Sequence, residues 1–176
     1  MAVESARSPR GEAAETAGTS TLTFERFLRH PPETVWKALT DPAQIREWFL
    51  TEARIEGRVG GTIDLTTGPT RVHATGRILA WQPPRLYEYE WNADPVRGLP
   101  RGERSVVRWE LTAVPGGTRL VLIHRGLTAR TAENFRHGVP GFLSRLSAQL
   151  DGRPLPDWLE AVRADRERAT GGEGRS

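Results

Sequence analysis

A chain of 176 residues, 37% of them hydrophobic, is long enough for one domain with a real core and too short for two comfortable ones. It contains no cysteine, which excludes disulfides, thiol nucleophiles and thiolate metal sites. No run approaches the roughly 18–20 apolar residues of a membrane-spanning helix. The opening MAVESARSPRGEAAETAGTS lacks the apolar centre of a secretory signal, so the expected setting is cytoplasmic.

The net charge is +3, yet the isoelectric point lies near 10.1, which at first suggests a nucleic-acid binder. Lys37 is the one lysine, and Tyr87 and Tyr89 are the two tyrosines. Nearly every positive charge is therefore an arginine, which does not titrate below about 12. The basic residues alternate with Glu and Asp instead of forming a run. A solvated mixed-charge surface follows, with no nucleic-acid partner.

Residues 1–20 hold only Val3 as a large aliphatic residue after Met1, and such a segment cannot offset the entropy of ordering it. A disordered tail is expected there. Order begins at Leu22, where TLTFERFL alternates as a strand that His30-Pro31-Pro32 stops. Pro32 suits the first turn of a helix PETVWKAL, with Glu33 near the positive end of its dipole. Asp41 then caps a second helix with Pro42 at its first position and Ile45, Trp48 and Phe49 facing inward.

From there the period falls to two. Strands are expected at Ala53–Glu56, Thr62–Thr67, Val72–Trp81, Arg85–Trp91, Ser105–Val114 and Thr118–His124, separated by Gly- and Pro-rich turns. In RLYEYEW the side chains of Tyr87, Tyr89 and Trp91 share one face, and Glu88 and Glu90 share the other. Such alternation marks a sheet with one buried and one wet face, hence antiparallel. A final helix follows in TAENFRHGVPGFLSRLSAQLDG, where Val139, Phe142, Leu143, Leu146 and Leu150 form one stripe. Pro140 either starts or kinks its main part, and Gly152 ends it. Pro156–Arg168 reads as a short surface helix docking through Trp158, Leu159 and Val162, before a second disordered tail.

A meander of this length twists and curls, and only the final helix is long enough to cover its concave face. The fold class is therefore α+β: a curved antiparallel sheet of six or seven strands around a long C-terminal helix, with two short helices after strand 1. A pocket is expected between them.

Five segments in order, VWKALTDPAQIREWF, VGGTIDL, GRILAWQPPRLYEYEW, GGTRLVLIHRGL and GVPGFLSRLSAQLDG, resemble the START-like (SRPBCC) superfamily. More narrowly, they resemble the family named after the activator of the Hsp90 ATPase. The resemblance spans residues 22–152, departing at Val139, where many relatives carry tryptophan, and at the arginine-rich loop 92–104. It implies a helix-grip domain over residues 21–152 with an internal cavity, followed by an extension over 153–176. It does not imply one activity, because members include ligand carriers, cyclases and co-chaperone domains.

The cavity candidates are Trp36, Trp48, Phe49, Tyr87, Tyr89, Trp91, Trp109, His124, Phe142 and Leu146, with Trp81 as part of the same aromatic set. His124, at the end of the last expected strand, should reach the cavity rim. Large rings on a concave face call either for dense packing or for a guest, and a void of roughly 300–1,000 Å³ is expected. Gly138 and Gly141 should thin the helix where the rings meet it. His30, His73, His124 and His137 show no metal-binding spacing, while Glu133 and His137, one turn apart, should form a surface pair. Ser144 and Ser147 lack a nucleophile-elbow context. Arg97, Arg101, Arg104 and Arg108 cluster around one loop and could meet an anion or a partner. The expected protein is thus a binding module without a cofactor, a monomer or homodimer, whose partner is an apolar small molecule or lipid. A chaperone is the alternative partner, and cyclase or hydrolase chemistry in the cavity the third reading.

Overall fold

The computed structural model of the chain describes residues 19–68, 70–95 and 102–158. Most of both expected tails, with Val3, Leu159 and Val162, lies outside the described residues, as do Arg97 and Arg101. The elements run β1 (Thr19–Leu28), α1 (Pro32–Thr40), α2 (Pro42–Trp48), β2 (Leu50–Ile55), β3 (Thr62–Thr67), β4 (His73–Gln82), β5 (Leu86–Ala93), β6 (Glu103–Val114), β7 (Gly117–Thr128) and α3 (Ala129–Leu150). All seven strands join one sheet in the order β1-β7-β6-β5-β4-β3-β2, each neighbouring pair antiparallel. The expected helix-grip α+β architecture is the one found.

The local signals act as read. Pro32 opens α1 with Glu33 in its first turn. Asp41 caps α2, its Oδ1 accepting from the backbone N–H of Ala43 at 2.8 Å and of Gln44 at 3.4 Å. The β6–β7 hairpin turns through Gly116 at φ +82, a conformation that a side chain would strain. β3 stands at Thr62–Thr67 as read, and the other strands differ from expectation by up to four residues at an end, most at β7, which continues past His124 to Thr128 before Thr128 itself caps α3. Pro140 does not start the last helix: α3 runs unbroken through it.

Strand alternation sets the core. Tyr87, Tyr89 and Trp91 of β5 are all buried, facing Trp109, Val107 and Ser105 of β6 in register. The row continues into β7, with Trp109 opposite Leu122 and Val107 opposite His124. On the other face Glu88 is not wet as its alternation suggested. Arg125 at 2.9 Å and Arg108 at 3.3 Å cover its carboxylate and hold its pKa below the usual range. Arg108, one of the expected anion-binding arginines, is committed to Glu88 and Glu110. Among the described residues no helix is long and apolar enough to cross a membrane.

Candidate functional site

Between the sheet and α3 lies a void of about 40 Å³, partly open at its mouth. Trp48 and Phe49 close it from the end of α2. Tyr89 and Trp91 of β5, Val107 and Trp109 of β6, and Leu122 and His124 of β7 form its floor. Phe135, Val139, Phe142 and Leu143 of α3 form its roof. The void is far smaller than the sequence suggested, and the reason is aromatic filling. Phe142 packs on Phe49 at 4.9 Å between centroids, and Phe49 stacks on Trp48 at 5.2 Å. At Gly138 the expected thinning is modest: Phe142 borders it, and a Cβ there would stand in ordinary contact, 3.9 Å from Phe142 Cε2.

Seven of the ten cavity candidates thus line the void: Trp48, Phe49, Tyr89, Trp91, Trp109, His124 and Phe142. The other three do not. Trp36 and Tyr87 pack with Trp81 as an edge-to-face cluster, with centroids 5.0 Å apart for Trp36–Trp81 and 5.1 Å for Trp81–Tyr87. Leu146 is fully buried in the core one turn beyond Leu143. Five lining residues were not among the candidates, Val107, Leu122, Phe135, Val139 and Leu143, and Phe135 is the one aromatic ring among them. Its signal was available, because positions 135, 139, 142 and 146 continue the same helical stripe.

Polar groups in this apolar shell are few and mostly committed. Trp48 Nε1–H donates to Ala38 O at 2.9 Å. Tyr89 is wholly enclosed, and desolvation pushes its phenol up to about 12, against the opposing effect of the Trp109 indole N–H. His124 sits within the strand and not at the rim, only 2% exposed, with its ring edge-on to Phe135 at 4.7 Å. Its Nε2 meets Ser105 Oγ at 2.7 Å, and Ser105 Oγ reaches the Trp91 carbonyl at 3.4 Å. Burial lowers the imidazole from its ordinary value near 6.5 to about 4, so the ring is neutral at physiological pH.

That depression fixes the sign of a pH effect. Above about 6.5 the ring is neutral folded or unfolded, and its burial carries no protonation cost. As pH falls from 6.5 towards 4 the unfolded chain takes up a proton that the folded chain refuses, so stability is lost over that window. Thermal melts across the window should therefore show acid destabilisation, and His124→Phe should flatten the slope. An unchanged slope in the variant would show that another group sets it.

The remaining histidines are clips on the surface. His73 bridges Asp94 at 2.6 Å and Asp64 at 3.0 Å, which raises its pKa. His30 meets Asp151 at 2.8 Å, and His137 pairs with Glu133 at 2.8 Å, as the spacing predicts. Among the described residues no group of His, Asp and Glu could hold a metal ion.

The segment after α3 closes against the same region. Trp158 packs edge-on against Phe142 at 4.9 Å, and the Arg145 guanidinium lies 4.1 Å over its ring. Arg145 is buried on α3. It donates to Trp48 O at 2.9 Å and to Pro156 O, tying the end of α2 to the tail of the domain. Only the meeting of three distant segments gives this arginine its buried acceptors.

Comparison with known proteins agrees with this architecture. A 31% identical solved structure, protein MLL2253 from Mesorhizobium loti, covers 77% of this chain and 100% of its own with a TM-score of 0.67. Protein Mll3558 from Rhizobium loti is 25% identical over 74% of this chain and 96% of its own, TM-score 0.64. CalU16 from Micromonospora echinospora, 24% identical over 87% of this chain and 88% of its own, shares the fold at a TM-score of 0.67. A search of the curated proteins returned no match. The family model described as Activator of Hsp90 ATPase homolog 1-like protein matches residues 29–151, and with it the chain belongs to that family, within the START-like (SRPBCC) superfamily.

Proposed function

We propose that the protein is a binding module that takes one small apolar molecule into the void between sheet and α3, without chemistry on it. The observation that carries this reading is the lining: twelve residues, of which only His124 and Tyr89 are titratable and none is acidic or basic at neutral pH. Concave apolar sites with few placed polar groups are the usual form of a small-molecule pocket. Catalysis by acid and base would need a second titratable partner beside His124, and the wall supplies none with a pKa near neutrality.

The volume constrains the guest. At about 40 Å³ the void is well below the range typical of drug-sized ligands. It suits a short acyl chain or a single ring, entering as Phe49, Phe135 and Phe142 give way. Titration of the full chain with a fatty-acid series and a hydrophobic dye should quench tryptophan emission saturably. Trp109→Ala should weaken that binding roughly tenfold, as expected for a central aromatic anchor. Linear, unsaturable quenching, or affinity indifferent to Trp109, would show that these rings are simply core.

A chaperone-binding reading follows from the family match over residues 29–151. It predicts that the purified protein stimulates the ATPase of the host chaperone. Stimulation abolished by Arg104→Glu would move the working surface to the start of β6.

A further inference from the structure

Resting on the cavity reading, we infer that His124 is a hydrogen-bond acceptor inside the void and selects guests that carry an uncharged hydroxyl. The argument follows one proton. Ser105 Oγ lies within hydrogen-bond reach of two groups, the Trp91 carbonyl at 3.4 Å and His124 Nε2 at 2.7 Å. A carbonyl can only accept, so both contacts are met at once only when the single hydroxyl proton of Ser105 goes to Trp91 O. The short contact to His124 is then satisfied in one way: Nε2 carries the ring proton and donates to Ser105 Oγ. That leaves Nδ1 as a bare acceptor.

Nδ1 has no hydrogen-bond partner among the described residues. Nor is it sealed by packing, as Arg26 Nε, Tyr87 Oη and Gln149 Oε1 are. For a side chain only 2% exposed that lines the void, the surface Nδ1 keeps is surface of the void. A buried acceptor left unmet destabilises the fold, and a guest that donates to it recovers that loss. Tyr89, opposite Val107 and two strands from His124, is the other titratable group of the lining.

The ligand class follows from these atoms. A guest hydroxyl can donate to Nδ1. A carboxylate cannot donate, and no cation in the wall offsets its desolvation. The expected ligand is therefore a small phenol or alcohol, and a fatty acid binds only in its protonated form.

Three probes of nearly one shape decide the matter: p-cresol, p-xylene and p-toluate, titrated into the full chain by calorimetry. The expected result is p-cresol tighter than p-xylene by about tenfold, equivalent to about 1.4 kcal/mol, with p-toluate weakest. In His124→Phe the ratio of the two affinities should fall to about one, a readout in which a change of pocket volume common to both probes cancels. A wild-type measurement stands beside it. The long-range proton–nitrogen correlation spectrum should show His124 protonated at Nε2, and p-cresol should shift the Nδ1 resonance. Equal binding of p-cresol and p-xylene, or a ring protonated at Nδ1, overturns the acceptor while leaving an apolar pocket standing. Tightest binding by p-toluate overturns the ligand class. No binding of any probe removes the cavity reading and the acceptor with it.

Discussion

Replacing Leu146 with alanine should destabilise the protein by about 2–5 kcal/mol, the cost of truncating a leucine in a packed core. Leu146 has no exposed surface, and its helix packs against β1, β7, α1 and α2, so nothing nearby is free to collapse into the gap. The measurement is the denaturant midpoint at an unchanged slope, which separates lost stability from a changed unfolded state. Because Leu146 does not line the void, ligand affinity should survive under conditions where the variant is folded. A loss well below 1 kcal/mol would mean that α3 rests on the sheet without being gripped.

Trp48→Ala should be at least as costly, about 3–5 kcal/mol, because it removes a buried indole and strands an acceptor. The ring is 1% exposed, stacks on Phe49, and gives its N–H to Ala38 O at 2.9 Å. Trp48→Phe keeps one buried ring and loses the donor with the remainder of the indole, and should cost less, about 1–3 kcal/mol. The pair of variants divides the effect between packing and the hydrogen bond. Trp48→Ala also widens the void at its α2 end, so larger dyes should bind the variant than bind the wild type. Identical ligand-size limits in both proteins would show that Phe49 refills the space.

The architecture was legible because its signals are local. Period-two alternation in RLYEYEW, the Asp41-Pro42 helix start and the Pro-Gly-Gly turn each depend on a few adjacent residues, and each stands where it was read. Most of the void's wall followed from alternation for the same reason. Three features did not, and all depend on partners far apart in the chain. Glu88 was assigned to water by its strand face, yet two arginines from β6 and β7 bury it. Arg145 sits near the apolar stripe of α3 as an apparent surface cation until Trp48 and Pro156 supply carbonyls for it. The size of the void was overestimated because face assignments say which rings meet and nothing about how closely. Phe135, Phe142 and Phe49 interlock where glycines had suggested room.

Pro140 stands at the middle of the void's roof. It lies inside α3 and has no N–H, so the carbonyl of Arg136 loses its helical partner and the backbone there is held by one bond fewer. The roof residues fall on both sides of it, Phe135 and Val139 before, Phe142 and Leu143 after. The later half is pinned by Leu146 and by Arg145, and the earlier half reaches back about 16 Å to Ala129 at 1.5 Å per residue. That far end is held as well, by Thr128 as the cap and by Ala132, which is buried against Leu22 and Leu127. The roof is thus a beam fixed at both ends, and room for a larger guest has to come from the rings that hang from it, Phe135 and Phe142, not from a swing of the whole helix.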